Sequence, residues 1–291
     1  MKPRIGITVG DPAGIGPEIA RKAAADPRVL DVCDPVLYGP IESNGQFPIG
    51  RISAAAGQAA YDAILEAVAA ARSGAIDAIA TAPINKEAFA AARIPWRGHT
   101  ELLAHLTGAE RVAMMFHADV LRVILATIHI PLAEVPRALT RESLEETIGL
   151  AARELPRFGW PSPRLALAGL NPHAGEHGLM GLEEDAFMIP AVEACRARGI
   201  DIAGPLPADT VFVRAMRGDY DAVIACYHDQ GLIPVKLVAF GRAVNVTLGL
   251  PIIRTSVDHG TAFDIADRGI ADASSLVHAV LLAAQLAHAN V

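Results

Sequence analysis

The feature that most constrains this chain is its punctuation. Short apolar runs recur along almost the whole length, each closed by a turn and most followed by a stretch with helical spacing. The runs at 4–9, 35–38, 75–81, 112–116, 121–128, 164–170, 200–203, 222–226 and 243–247 are mostly continuous rather than alternating. That pattern predicts strands buried on both faces, as in a parallel sheet. Helical patterns fall between them at 17–25, 54–73, 86–92, 100–107, 141–157, 183–198, 209–217, 261–267 and 274–289. Pro17 stands at a first helical position, Thr140 precedes Arg141-Glu142-Ser143, and Ser143 precedes Leu144-Glu145-Glu146 with the spacing of a capping box. Strands alternating with helices predict an α/β fold whose helices layer onto the sheet.

No internal repeat or low-complexity linker breaks the pattern. A length of 291 residues allows one large domain or two modest ones. Without a linker, any division must separate interleaved lobes, here expected at 1–118 with 252–291, and at 119–251. A hydrophobic share of 52% is too high for a disordered chain. The net charge of −7 argues against a dedicated nucleic-acid binder, yet leaves room for a local basic pocket holding a small anionic substrate. The stretch 54–71 comes closest to a membrane span, but Gln58, Tyr61, Asp62 and Glu66 interrupt it, so no membrane association is expected. Cys33, Cys195 and Cys226 are odd in number and show no metal-type spacing, and the N-terminus has no signal-peptide layout. Both points lead us to expect a reduced, cytoplasmic protein.

Three apolar runs lead into a histidine: 121–128 into His129, 164–170 into Asn171-Pro172-His173, and 222–226 into Tyr227-His228. Ligands of open α/β sheets collect outside the carboxyl ends of the strands. Any one of these histidines taken alone reads better as a loop hydrogen-bonder. Three in the same setting could make a metal site with positions left open for substrate. A second group suits an anion. Gly98-His99-Thr100-Glu101 opens a helix, where backbone N–H groups favour negative charge, while Lys236 and Arg254 follow strand-like segments and Asn245 lies within one. Each of these charges taken alone also reads as a surface residue. Gly10-Asp11-Pro12-Ala13-Gly14-Ile15-Gly16 is a weak glycine signal, because the second strand ends Leu37-Tyr38-Gly39 without the acid of a dinucleotide fingerprint. Asp258-His259-Gly260-Thr261-Ala262-Phe263-Asp264 reads either as a capped helix start or as groups that hold ribose and adenine.

Six stretches together, GITVGDPAGIGPE (6–18), GHTELL (98–103), NPHAGEHGLMG (171–181), GPLPADT (204–210), YHDQGLIPVK (227–236) and VNVTLGLPIIRTSVDHGTAFDIA (244–266), resemble the 4-hydroxythreonine-4-phosphate dehydrogenase family of vitamin B6 synthesis. The resemblance covers nearly the whole chain. It implies two α/β/α lobes like those of the isocitrate and isopropylmalate dehydrogenases, with the active site in the cleft between lobes, and a homodimer with a shared active site. It also implies NAD and a divalent metal (Zn, Mg, Mn or Co). By position, His129 and His173 of one chain and His228 of its partner would ligate the metal. His99, Thr100, Lys236, Asn245 and Arg254 would touch substrate, and Lys236 and Asp209 are candidate proton acceptors. Asp258, His259, Gly260, Thr261 and Asp264 would contact the cofactor, and a carboxylate at Asp264 favours NAD over NADP by repelling a 2′-phosphate.

The implied reaction is oxidation of 4-phosphooxy-L-threonine followed by decarboxylation to 3-amino-2-oxopropyl phosphate. Relatives acting on D-threonate or D-erythronate 4-phosphate, or on an aromatic dihydrodiol, set the alternatives. A metal-dependent hydrolase and a non-catalytic ligand sensor are more distant ones. One departure stands out: between Tyr38 and Ala54 this chain has only a short loop where usual members carry substantially more, which is expected to trim the lobe edge near the active-site mouth and leaves the exact substrate open.

Overall fold

The computed structural model describes residues 1–42 and 45–289. Its strands are β1 (Arg4–Thr8), β2 (Asp34–Tyr38), β3 (Ala78–Thr81), β4 (Ala113–Ala118), β5 (Leu121–Leu125), β6 (Leu165–Ala168), β7 (Ile202–Leu206), β8 (Ala222–Ala225), β9 (Val244–Leu248) and β10 (Arg254–Ser256). Its α-helices are α1 (Gly16–Ala24), α2 (Pro27–Val32), α3 (Ala54–Arg72), α4 (Lys86–Ala91), α5 (His99–Thr107), α6 (Val135–Ala138), α7 (Arg141–Glu154), α8 (Ile189–Ala197), α9 (Ala208–Met216), α10 (His228–Ala239) and α11 (Ser274–Ala289). The chain divides into two units, residues 1–112 with 244–291, and residues 113–243.

The first unit carries strands in the order β2-β1-β3-β10-β9. All run parallel except β9, which is antiparallel to β10. Every residue of β3 is buried, as its unbroken apolar run requires. Ile64, Ile79, Phe89, Leu102 and Leu103 make one core beneath α3, α4 and α5. The Ser53 side chain starts α3 by accepting the Ala56 N–H, and Gly57 then lets α3 approach α4, since a Cβ there would strike the Ala88 carbonyl.

The second unit carries β4-β5-β8-β6-β7, with β4 antiparallel to β5 and the remaining pairs parallel. Its core gathers Leu121, Val123, Val211, Val223, Leu232 and Val235. Thr140 and Ser143 form the reciprocal capping box of α7.

The expected edges at 118 and 251 shift because β4 pairs with β5, which draws it into the second unit, and β9 pairs with β10, which draws it into the first. Four elements are additional to the sequence reading: α2, α6, α10 and β10. Gly231 and Pro234 disguise α10 as a loop. The glycine is a packing device, because a Cβ there would sit 2.7 Å from both Leu125 Cδ2 and Val123 Cγ1. The expected helix at 261–267 is only a 3₁₀ turn at Phe263–Ile265, because Ala262 adopts a left-handed φ of 42°. No described helix is long and apolar enough to cross a membrane.

Candidate active site

In the second unit β5, β8 and β6 are adjacent and parallel, so their carboxyl ends share one edge of the sheet. His129, His228 and His173 follow those three ends in that order. The rings of His129 and His228 stand 5.6 Å apart and line a cavity of about 440 Å³ with Thr127, Tyr227 and Asp229. His228 Nδ1 lies 2.7 Å from Asp229 Oδ1. Donation to that carboxylate leaves the lone pair on Nε2, the arrangement that orients an imidazole towards a metal. Within one chain His129 therefore neighbours its own His228, the residue assigned by resemblance to a partner. Among the described residues no group of three or more His, Cys, Asp or Glu side chains is gathered for a metal ion.

His173 sits in an unusual turn. Six consecutive residues, His173 to Gly178, have φ between 42° and 84°. Four of them are not glycine, and each left-handed L-residue costs about 1–2 kcal/mol. Such a turn persists only where neighbours over-determine it. Here the Glu184 carboxylate accepts the N–H groups of Leu170 and Asn171 at 2.8 and 2.7 Å. Gln230 ties the same strand end to α10, donating to the Gly169 carbonyl and accepting the Cys226 N–H.

The first unit builds a different kind of site. Register places Thr8, Thr81, Ser256 and Asn245 in one row across β1, β3, β10 and β9. Arg254, two residues before Ser256, lies on the same face. Its side chain is buried, with 3% of the residue exposed. Its guanidinium donates to Thr81 Oγ1 from Nε and NH2 at 3.2 and 2.8 Å, and to Thr247 Oγ1 from NH1 at 3.0 Å. No carboxylate pairs with it among the described residues. Burial pulls its pKa down to about 9. Burial, and then the Arg254 charge, hold His99 well below the ordinary histidine range, so its imidazole is neutral. His99 Nε2 and Asn245 Oδ1 are buried without a hydrogen-bond partner. A buried cation without a counter-ion, in a unit that also buries unsatisfied polar atoms on His99 and Asn245, suits an anion that carries hydrogen-bonding groups.

Thr100 follows His99 at the start of α5, behind Gly98, which makes no side-chain cap and leaves the helix N-terminus open. Lys236 does not follow a strand as expected. It is exposed in the body of α10, with Nζ 6.0 Å from the Phe240 ring. Asp209 is exposed in the first turn of α9.

Two signals that were weak alone meet in the first unit. Ile15 N–H donates to the Thr261 carbonyl at 3.0 Å, and Gly14 is needed because a Cβ would lie 2.7 Å from that oxygen. The glycine loop and the 258–266 stretch thus form one structure. Asp264 is exposed on it, His259 and Gly260 are exposed beside it, and Asp258 Oδ1 accepts from Ser275 Oγ. Open backbone beside an exposed carboxylate fits a nucleotide. The short connection after β2 packs here: Phe47 is buried with Ala13 and Ala56 against Phe263, and Gly50 N–H donates to the Ala13 carbonyl. Sequence reading missed Thr81, Thr247, Gln230 and Glu184. The threonines at the ends of β1 and β3 and inside β9 were the available signal.

The model of the family described as pyridoxal phosphate biosynthetic protein PdxA matches residues 16–283. A 4-hydroxythreonine-4-phosphate dehydrogenase of Geobacter metallireducens is 47% identical over 325 aligned positions, covering 98% of this chain and 96% of the relative. A D-threonate 4-phosphate dehydrogenase of Cupriavidus necator is also 47% identical, covering 98% and 97%. An alignment of 325 positions against 291 residues means that the Geobacter protein carries at least 34 residues with no counterpart here. The crystal structure of the Klebsiella pneumoniae 4-hydroxythreonine-4-phosphate dehydrogenase superposes with a TM-score of 0.90 at 43% identity, covering 99% of this chain and 98% of that one. At the level of fold alone, the likeness extends to a β-decarboxylating dehydrogenase of Thermococcus kodakarensis, with a TM-score of 0.54 and 16% identity.

Proposed function

The chain belongs to the PdxA family of pyridoxal phosphate biosynthetic proteins, an oxidoreductase family, and from that premise we propose a metal-dependent, NAD-linked dehydrogenase for a small phosphorylated hydroxy acid. The preferred substrate is 4-phosphooxy-L-threonine, oxidised and decarboxylated to 3-amino-2-oxopropyl phosphate. D-threonate 4-phosphate is the second reading, favoured by the equal identity of the Cupriavidus relative. One observation carries the proposal: Arg254 is a buried guanidinium held by hydroxyls alone, and a phosphate or carboxylate supplies the charge it lacks.

In this reading Arg254 binds and fixes the substrate anion. Neutral His99 and Asn245 complete the hydrogen bonds of the same ligand, with Thr100 at the open helix end. His129, His173 and His228 would hold the divalent ion, and the exposed Asp264 would bind the ribose hydroxyls of NAD. When bound, the ion supplies Lewis acidity at the substrate hydroxyl and the nicotinamide accepts the hydride. Lys236 and Asp209 are the proposed proton acceptors.

A homodimer in the cytoplasm belongs to the same proposal. Ile233, Leu237 and Phe240 are 60%, 81% and 79% exposed at the i, i+4 and i+7 positions of the segment beginning at α10. Such an apolar stripe suits a second copy.

The test is NADH formation with 4-phosphooxy-L-threonine, D-threonate 4-phosphate and a cis-dihydrodiol, each with Zn²⁺, Mg²⁺, Mn²⁺ or Co²⁺. Metal-dependent NADH formation with a phosphorylated acid is expected. No NADH from any combination sinks the reading, and a higher kcat/KM with NADP removes the role given to Asp264.

A further inference from the structure

We propose that Glu184 is a positioning residue for the metal site, acting through His173. The inference rests on the metal reading of that histidine. Glu184 is 1% exposed, yet no lysine or arginine pairs with it among the described residues. Every hydrogen bond of its carboxylate goes to the segment that leads into His173. Oε1 accepts both the Leu170 and the Asn171 N–H, and Oε2 accepts Asn171 Nδ2 at 2.9 Å.

Glu184 also borders the left-handed turn itself. Gly175, in its middle, has φ 79°, and a Cβ there would come within 2.7 Å of Glu184 Oε2. The turn closes directly over the carboxylate.

The local backbone supports the same role. Glu184 opens a single π-turn, Glu184–Met188, at the entrance to α8. Such turns redirect side chains and recur at functional sites. A carboxylate accepting three N–H groups is well solvated by them, and it fixes the residues that donate. The donors here are residues 170 and 171, and Pro172 passes their position rigidly to His173. Loss of the carboxylate releases a turn whose left-handed residues favour other conformations, and the imidazole loses its place.

The experiment is a Co²⁺ titration of the metal-stripped full-length protein, read by calorimetry and by the visible absorption of the bound ion. It uses wild type, Glu184→Gln, Asn171→Asp, His173→Ala and the double variant His173→Ala/Glu184→Gln. Outer-shell changes weaken metal binding by about 10–100-fold, and a loss of this size is expected for Glu184→Gln and Asn171→Asp, with KM for NAD unchanged. In the His173→Ala background, Glu184→Gln should make no further difference to Co²⁺ binding.

Two results overturn the proposal. One is a Glu184→Gln protein that melts earlier but binds Co²⁺ like wild type. The other is the same additional loss in the absence of His173. If wild type binds no Co²⁺, or His173→Ala binds it as wild type does, the metal reading falls and this inference with it. Asn171→Asp keeps the Glu184 carboxylate and provides the answer should Glu184→Gln fold poorly.

Discussion

The two units build their candidate sites by opposite means. In the first, the polar groups stand on the sheet. Arg254, Thr81, Thr247 and Asn245 are strand residues fixed by register, and the cation among them is buried before any ligand arrives. In the second, the sheet supplies only the ends of β5, β8 and β6, and the histidines hang on the loops and helix that follow. A sheet can place a charge in advance at a cost in stability. A strand-end loop leaves its side chains to be fixed by neighbouring contacts, such as those Glu184 and Gln230 make with the backbone after β6 and β8.

That contrast is most sharply exposed by His173→Ala. Turnover that requires a divalent ion should fall by more than about 10³-fold, comparable to losing an electrostatic group at the reacting centre. The fold should be untouched, because His173 sits in a turn and contributes nothing to the core of the second unit. Full activity in the variant, or after thorough chelation, breaks the assignment of metal chemistry to the second unit.

Arg254→Met probes the other side of the comparison. Loss of a buried ionic contact to substrate should lower kcat/KM for a phosphorylated acid by about 10²–10³-fold. Stability should hold or rise, because an apolar chain replaces a buried charge that has no counter-ion. Urea unfolding checks this, and a stability loss above about 2 kcal/mol would show the guanidinium to be structural rather than kept for a ligand.

The same contrast explains what could be read in advance. The strands and most helices were legible because unbroken apolar runs and caps such as Thr140 act locally. The strand-end histidines were legible because chain order alone put them there. The unread parts depend on packing between distant segments. Gly231 looks like a loop residue until β5 is laid beside it. Lys236 looked strand-associated because α10 went unseen. Thr81 gains its role from Arg254, 173 residues away, and Glu184 from a turn whose left-handed backbone no sequence pattern announces. The short connection after β2 could be read only as a shortened lobe edge, because the packing of its Phe47 against Phe263, beside the expected cofactor residues, joins segments more than 200 residues apart.

A pH series separates the sites by charge. Arg254, with its pKa near 9 in the fold, is cationic below that pH and neutral above it. Sulfate, which does not titrate in this range, should therefore bind with constant affinity from pH 7 to about 8.5 and lose about tenfold per unit above pH 9, the limiting slope for one required proton. In the second unit, burial and then Arg122 push His117 down to about 4. Its fold favours the neutral form, so its contribution to stability is complete above 6.5 and is lost as pH falls from 6.5 towards 4. Sulfate affinity flat to pH 10.5 would contradict the isolation of Arg254. Acid stability of the metal-stripped protein that is unchanged in His117→Asn would contradict the burial of His117.

The smallest expected effect tests how the buried cation is kept in place. Thr81 Oγ1 accepts two of the three hydrogen bonds made by Arg254. Thr81→Val removes that oxygen while nearly preserving side-chain volume. Two guanidinium N–H groups are then left buried without acceptors, a cost of about 1–3 kcal/mol. Thr81→Val should accordingly destabilise the protein, unlike Arg254→Met, and should raise KM for the phosphorylated acid about fivefold as the guanidinium loses its fixed orientation. The two changes must also interact. Once Arg254 is methionine, Thr81 Oγ1 keeps only its long 3.4 Å donation to the Thr255 carbonyl, so Thr81→Val should cost much less in the Arg254→Met background. If the two stability changes simply add, Thr81 is packing and not a bracket, and the strand-built site of the first unit rests on fewer contacts than its register provides.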